Sequence, residues 1–321
     1  MRIGTIELTG GVALAPMAGV TDYAFRTICA ELGAAMTVTE MVSSRALVYQ
    51  DKKSVGLLRK NAGCVCGAQI FGNDPEIMAQ AARLALAHSG CDFIDINMGC
   101  PMPKIANNGD GSALMRDPAL AGRIVRAVVD AVPVPVTVKT RKGWDKGSVN
   151  VVELARCVEE NGASAIAVHG RTKTMLYSGV ADWDMIAQVK QAVSIPVIAN
   201  GDIVDGASAL RCLRRSHADL LMVGRGCFGD PWLLGEVQAA LDGREAPERP
   251  PLAARIDTAL RQIELAREDK GEHIACLEAR KHLAWYLRGV AYSGYYKEQI
   301  SHISSMQEVY AVAKGIQRDL R

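Results

Sequence analysis

Residues 197–226 have the sequence VIANGDIVDGASALRCLRRSHADLLMVGRG, which contains one complete repeat of a recurring pattern. Two short apolar runs, at residues 197–199 and 220–223, lie on either side of a helical segment at residues 207–215. The runs are continuously apolar, and this is typical of parallel strands that are covered on both faces. The stretch is therefore predicted to form a strand–helix–strand unit.

The same pattern recurs from the start of the chain. Eight apolar runs lie at residues 12–15, 36–39, 67–70, 93–96, 136–139, 165–168, 197–199 and 220–223. Asp74-Pro75 and Asp117-Pro118 are typical helix starts. The aspartate side chain accepts hydrogen bonds from free N–H groups of the first turn, and proline has no N–H group that would need a partner there. Eight units in about 230 residues favour a (β/α)8 TIM barrel over a doubly wound sheet. We expect the eighth strand to close the barrel on the first.

The pattern stops before residues 242–251, DGREAPERPP, a polar and proline-rich segment typical of a linker. Only helical signals follow it. We therefore predict a catalytic barrel domain at residues 1–241, a linker at 242–251 and a small all-helical domain at 252–321. A segment of that size has little core of its own and is expected to pack on the barrel.

Composition excludes several classes of protein. The chain has 321 residues, 49% of them apolar and 22% charged, with 37 Lys and Arg against 35 Asp and Glu. These values are ordinary for a globular protein and exclude a disordered one. Nine cysteines without a Cys-x-x-Cys pair indicate reduced thiols and no zinc ribbon. With no signal peptide or membrane-length apolar run, we expect a cytoplasmic monomer without membrane contact.

Polar side chains follow nearly every predicted strand, at the end of the barrel where active sites of this fold lie. The residues at the strand ends, polar ones among them at nearly every strand, are in strand order Pro16, Met17 and Ala18; Gln69; Asn97 and Cys100; Lys139 and Arg141; His169 and Arg171; Asn200, Gly201 and Asp202; and Gly224 and Arg225. One such residue would indicate little. Their joint occurrence predicts an active site at this end of the barrel.

The glycines after strands seven and eight indicate a phosphate site. Gly201 and the run 224–226 stand where barrels bind phosphate, because glycine lets backbone N–H groups approach the anion closely. Arg225 adds a cation that can bind phosphate through two parallel hydrogen bonds. Spacing alone does not separate flavin mononucleotide from a sugar phosphate.

The remaining polar residues suit a heterocycle better than a metal or a sugar. Lys139 and His169 can donate hydrogen bonds to a ring carbonyl or a developing negative charge. Gln69 and Asn200 add neutral amides. Among the strand ends there is no pair of carboxylates and no clustered His motif, which disfavours a glycosidase or a metalloenzyme, and no metal is expected.

Cys100 stands in a Gly-Cys-Pro turn after the fourth strand. An unperturbed thiol has a pKa of about 8.5 and is mostly protonated at neutral pH. Cys100 could therefore act as a proton donor, or as a nucleophile if its pKa were lowered. The other cysteines are predicted to be small buried apolar residues.

Several motifs together resemble the tRNA-dihydrouridine synthases, and the match covers nearly the whole chain. They are APMAGVTD (15–22), DINMGCP (95–101), VHGRT (168–172), IANGDI (198–203), MVGRG (222–226) and ARKHLAWYL (279–287). The start MRIG, with Glu40-Met41 and Ser43-Ser44, is most similar to the bacterial B-type subgroup.

The resemblance implies an FMN-dependent enzyme that reduces a uridine of tRNA to 5,6-dihydrouridine with NADPH. Cys100 matches the general acid that protonates C5 of the uracil, while the flavin delivers hydride to C6. The implied cofactor contacts are Pro16, Met17, Ala18, Gln69, Lys139, His169, Asn200, Gly201, Asp202, Gly224 and Arg225. The implied tRNA contacts are Asn97, Lys104, Arg141 and Arg171. Asn107, Asn108 and Asp110 depart from the family pattern in the loop after Cys100.

The helix expected around residues 276–290 carries Lys281, Trp285 and Arg288 on one face. A basic face with an aromatic side chain can pair with phosphates and stack on a base, so these residues are predicted tRNA contacts. The alternative for Trp285 is a packing role between tail and barrel. Two alternatives to the proposed activity also remain: another FMN barrel enzyme, similar to dihydroorotate dehydrogenase, or a non-catalytic tRNA-binding protein.

Overall fold

A computed structural model describes residues 1–320 and contains a closed barrel of eight parallel strands. The strands are β1 (Val12–Leu14), β2 (Met36–Val38), β3 (Val65–Phe71), β4 (Phe93–Met98), β5 (Val136–Arg141), β6 (Ala165–His169), β7 (Val197–Asn200) and β8 (Leu220–Val223). Each pairs with the next, and β8 pairs with β1, where Leu221 lies opposite Val12. The predicted barrel and its closure are confirmed.

Helices cover the outside of the barrel. They are α1 (Tyr23–Glu31), α2 (Ser44–Val48), α3 (Lys52–Gly56), α4 (Pro75–Ser89), α5 (Pro103–Ala106), α6 (Pro118–Ala131), α7 (Val151–Glu160), α8 (Trp183–Ala192), α9 (Gly206–Ser216) and α10 (Leu233–Leu241). The Asp74 carboxylate accepts hydrogen bonds from the backbone N–H groups of Glu76 and Ile77, 3.0 and 3.1 Å away. Asp117 caps α6 in the same way. The helix starts predicted from Asp-Pro are confirmed.

Three short strands lie outside the predicted pattern. Arg2–Ile3 and Ile6–Glu7 form an antiparallel hairpin, and Val42–Ser43 adds to the end of β3. Ile3 and Leu8 are buried with Phe93 in an apolar cluster, so the hairpin closes one end of the barrel. Two-residue strands are too short to give a period-two pattern, which is why the sequence did not reveal them.

Residues 242–251 contain no helix or strand, and four helices follow them. They are α11 (Leu252–Lys270), α12 (Glu272–Tyr286), α13 (Gly294–His302) and α14 (Met306–Asp319). These helices share an apolar cluster of their own. They also contact the barrel, because Lys270 pairs with Asp22 at 2.7 Å and Ala24 of α1 packs against Ala266 and Ala275. Across residues 1–320, no helix combines the length and apolar character needed to cross a membrane.

Candidate active site

A cavity of about 800 Å³ opens at the carboxyl ends of the strands. Most residues predicted from the strand ends line it: Pro16, Met17, Ala18, Gln69, Asn97, Cys100, Lys139, Arg141, His169, Asn200, Gly201, Asp202, Gly224 and Arg225. Arg288, predicted from the tail, also lines it. Parallel strands in a barrel bring their carboxyl ends to one rim, so residues far apart in sequence meet there. Four predicted residues, Lys104, Arg171, Lys281 and Trp285, do not line this cavity.

Glycine is required at one position of the cavity wall after β7. Gly201 has a φ of +120°, and a Cβ atom there would lie 2.8 Å from the Cβ of Ala181. At Gly224, after β8, a Cβ would meet nothing closer than 3.7 Å and would project towards Ala15 and Met17. Gly201 and Gly224 both line the cavity beside Arg225. Glycine backbone next to an arginine is an arrangement that can bind phosphate.

Lys139 lies between β4 and β6 in the barrel wall and donates a hydrogen bond to Asn200 Oδ1, 3.1 Å away. The Asn200 amide is held in turn, because its Nδ2 donates to the Met222 carbonyl at 2.8 Å. Burial lowers the pKa of Lys139 to about 8, and nearby Arg141 contributes. Lys139 is therefore mainly protonated at neutral pH and presents a cation to the cavity.

His169 ends β6 and is buried. Its Nδ1 accepts a hydrogen bond from the backbone N–H of Arg171 at 3.3 Å, so a neutral ring carries its proton on Nε2. Burial holds the pKa of His169 well below its ordinary value, and the charges of Lys139 and Arg141 act in the same direction. The ring is therefore a neutral hydrogen-bond donor at physiological pH.

Cys100 is half-buried on the cavity wall. Its backbone N–H and that of Gly99 both donate to Asn97 Oδ1, at 2.9 and 3.1 Å, which fixes the turn. Burial raises the pKa of the Cys100 thiol, although Arg141 and Lys139 oppose the shift. The thiol is therefore protonated at neutral pH, which favours the proton donor over the nucleophile that the sequence left open.

Arg141 is buried, and its guanidinium is used within the protein. It donates to the carbonyls of Gly99, Thr172 and Leu176 at 3.0, 2.9 and 2.7 Å. These contacts join the loop that carries Cys100 to the loop after β6. Arg141 lines the cavity while its guanidinium is directed to these carbonyls, and its implied tRNA contact remains a prediction.

The four predicted residues outside the cavity make other contacts. Arg171 is buried and binds the carbonyls of Ser178 and Gly179 together with the Asp202 carboxylate. Lys104 is exposed on α5. The internal contacts of Arg171 give no support to its predicted tRNA contact. The tRNA contact of Lys104 remains a prediction.

Lys281 and Trp285 of α12 both face the barrel. The Lys281 ammonium donates to the Gly19 carbonyl, and the Gly19 N–H donates to Glu40. The Trp285 ring stacks on Phe228, with centroids 4.3 Å apart and ring planes 14° apart. The packing alternative therefore describes Trp285, and Lys281 holds the cavity-lining loop that contains Met17 and Ala18. Arg288 follows the end of α12 and is exposed.

Tyr177 is the main cavity residue that the sequence did not reveal. It is 50% exposed, and the guanidinium of Arg225 lies 4.5 Å from its ring centroid. The residue stands in an irregular loop after β6, where apolar periodicity gives no signal. An aromatic side chain five residues after the end of the VHGRT motif (168–172) is the one sequence feature that could have indicated it.

The chain is similar to a known family over nearly its whole length. The family model described as "Dihydrouridine synthase (Dus)" matches residues 13–320. The tRNA-dihydrouridine synthase B of Proteus vulgaris is 42% identical over 309 residues, which cover 96% of this chain and 95% of that protein. The probable tRNA-dihydrouridine synthase of Rickettsia conorii is 41% identical over 304 residues, covering 94% and 91%.

Solved structures share the barrel at much lower identity. Histamine dehydrogenase from Rhizobium sp. 4-9 is 15% identical with a TM-score of 0.59, covering 83% of this chain and 50% of that one. The 2-naphthoyl-CoA reductase is 12% identical with a TM-score of 0.60, covering 76% and 52%. This chain thus spans about half the length of both, and the likeness concerns the fold alone.

Proposed function

The chain belongs to the dihydrouridine synthase family, and we propose that it reduces one uridine of tRNA to 5,6-dihydrouridine with FMN as cofactor and NADPH as reductant. The similarity to the B-type subgroup, predicted from the sequence, is confirmed by relatives named tRNA-dihydrouridine synthase B at 38 to 42% identity. One observation carries the proposal: a protonated thiol, Cys100, shares one cavity with the donors Lys139 and His169.

The residues of the cavity fit FMN. Gly201, Gly224 and Arg225 would hold its phosphate, because they line the cavity together and glycine N–H groups and a guanidinium suit a dianion. Gln69 and Lys139 would bind its ring through amide and ammonium groups. Bound there, FMN would supply the hydride transfer from NADPH to the uracil ring. The cavity of about 800 Å³ leaves room for a base beside the cofactor.

Residues of the chain itself would donate the proton and stabilise the charge that forms on the base. A uridine stacked in folded RNA has to be extruded to reach this cavity. Addition of hydride to C6 leaves an enolate-like charge on the C5 side of the ring, and the Cys100 thiol would donate its proton to C5. Lys139 and the Nε2–H of His169 would stabilise the developing charge by hydrogen bonding, since Asn200 and the Arg171 backbone already hold the two donors in position.

We also propose that residues 252–321 form the tRNA-binding domain, separated from the barrel domain (1–241) by the linker (242–251). Support comes from the separate apolar cluster of α11–α14 and from exposed Arg288, which lines both the main cavity and a neighbouring cleft of about 250 Å³. Arg249 and Arg255 line the same cleft. We propose a monomer, since the residues of one chain form both the cavity and the cleft. We propose a cytoplasmic location, since the proposed substrate is tRNA.

Two variants of the tail separate tRNA binding from cofactor binding. Arg288→Ala should weaken tRNA binding several-fold, because one phosphate contact is lost. The slope of log affinity against log salt concentration should decrease by about one. Lys281→Ala should instead weaken FMN binding several-fold, because Lys281 holds the carbonyl of Gly19 beside the cavity. Electrophoretic mobility shifts with unmodified tRNA and quenching of FMN fluorescence measure the two affinities. The reverse assignment of effects would contradict this division of roles.

A further inference from the structure

A buried carboxylate lies in the barrel layer below the cavity. Asp95 on β4 is 4% exposed, and it lies in register with Gln69 of β3 and Thr137 of β5. Register partners in parallel strands project their side chains to the same side of the sheet. The carboxylate accepts hydrogen bonds from Thr137 Oγ1 at 2.5 Å and from Gln69 Nε2 at 2.6 Å.

The hydrogen bonds continue from Asp95 to the proposed proton donor. Gln69 Oε1 accepts from Asn97 Nδ2 at 2.9 Å. Asn97 Oδ1 then accepts from the backbone N–H groups of Gly99 and Cys100 at 3.1 and 2.9 Å. We call this chain of contacts, from Asp95 through Gln69 and Asn97 to the Cys100 backbone, the amide relay.

The direction of each amide in the relay agrees with the charge of Asp95 at its start and with the two backbone N–H donors at its end. An ionised carboxylate can only accept, so Gln69 has to turn its NH₂ group to Asp95 and its oxygen to Asn97. Asn97 must then turn its own NH₂ group to Gln69 and its oxygen to the Cys100 turn. An amide flip exchanges groups of nearly equal shape, so packing alone would not select these orientations.

We propose that Asp95 is a positioning residue that sets the orientation of Gln69 towards the cofactor ring and the position of Cys100 towards the substrate base. The proposal rests on the proposed function for the identity of ring and base. Asp95 itself does not line the cavity. It acts through the relay, since a flipped Asn97 would place its NH₂ group against two backbone N–H groups and release the turn.

The protonation of Asp95 gives the relay a pH dependence. Burial raises the pKa of Asp95 to about 6, while Gln69, Thr137 and the charge of Lys139 oppose the shift. Lys139 on β5 is the charged side chain that acts on Asp95, and Gln69 and Thr137 are neutral. Below about pH 6 the carboxyl gains a proton, can donate as well as accept, and no longer fixes the amides. Turnover should therefore fall on the acid side around that pH.

The test compares Asp95→Asn with Thr137→Val in the full-length FMN-loaded protein. Asp95→Asn keeps the shape of the side chain but replaces a carboxylate that only accepts hydrogen bonds with an amide that can also donate one. Amide hydrogen exchange at Gly99 and Cys100 should become at least about tenfold faster, and single-turnover uridine reduction should slow by about tenfold or more, without an acid limb. Thr137→Val removes one hydrogen bond that lowers the pKa of Asp95. It should keep the rate on the pH plateau and move the acid limb to higher pH.

Each outcome decides the proposal. Wild-type exchange at Gly99 and Cys100 together with a wild-type pH profile in Asp95→Asn would overturn the relay. If Asp95→Asn does not fold, the Thr137→Val profile still decides, because an unmoved acid limb would exclude Asp95 as its origin. Failure of the wild-type protein to form dihydrouridine would refute the proposed function instead. The amide hydrogen exchange rates are measured without tRNA, so they would still test the relay in that case.

Discussion

Cys100→Ala is expected to lower the rate of uridine reduction by about 10²–10⁴-fold while leaving FMN content and reduction by NADPH unchanged. The Cys100 thiol lines the cavity, and burial raises its pKa, so it is the protonated acid at neutral pH. Its removal should leave the turn in place, because Asn97 binds the backbone N–H of residue 100 and not the side chain. Single-turnover reduction of unmodified tRNA, beside NADPH reduction without tRNA, measures both steps.

A matched control uses a thiol that does not line the cavity. Cys157 on α7 is half-buried like Cys100, and its Sγ lies 3.0 Å from the Pro118 carbonyl. Cys157→Ala should keep the wild-type rate. Because the raised pKa of Cys100 keeps the thiol protonated until alkaline pH, loss of the Cys100 proton should lower wild-type turnover only as the pH rises through that pKa. A near-normal rate in Cys100→Ala would reject the acid role.

Lys139→Met should lower the turnover rate by about 10²–10³-fold, which is the usual effect of losing a hydrogen-bond donor at a developing negative charge. It should also lower the amount of FMN that stays bound to the purified protein. Lys139 is held by Asn200 and is mainly charged at neutral pH, because its lowered pKa of about 8 still lies above 7. As the pH rises through about 8 the ammonium loses its proton, so wild-type affinity for FMN should weaken. Visible flavin absorbance after gel filtration and tRNA turnover measure the two effects.

Lys142→Met provides the matched control for that variant. Lys142 follows β5, pairs with Asp182 at 3.0 Å and does not line the cavity. It should bind FMN and turn over like the wild type. Full FMN retention and normal turnover in Lys139→Met would contradict the role assigned to Lys139.

The barrel could be predicted because its signals are local. Each strand is one continuous apolar run, and helices such as α4 and α6 begin at an aspartate cap followed by proline. Strand direction then places the residues after each run at one rim, which is why Lys139, Asn200 and Cys100 were predicted to meet. None of these steps depends on knowing a contact between distant residues.

The rest of the site depends on contacts between residues that are distant in the chain. The tRNA contacts of Arg141 and Arg171 were implied by the family resemblance and remain predictions. The structure shows that both side chains reach carbonyls of a loop whose course the sequence does not reveal. Asp95 was a single carboxylate within an apolar strand in the sequence. Its partners Gln69 and Thr137 are 26 and 42 residues away, and only strand register brings them together.

The most direct test of the central claim is dihydrouridine formation on tRNA that lacks it, by the purified FMN-loaded protein with NADPH. We expect one uridine to gain two hydrogens, measured by mass spectrometry of the digested tRNA, and the reaction to be lost with Cys100→Ala. Two results would contradict the account. One is an FMN-containing protein that NADPH reduces and that leaves tRNA unmodified while reducing orotate. The other is a colourless protein that still binds tRNA.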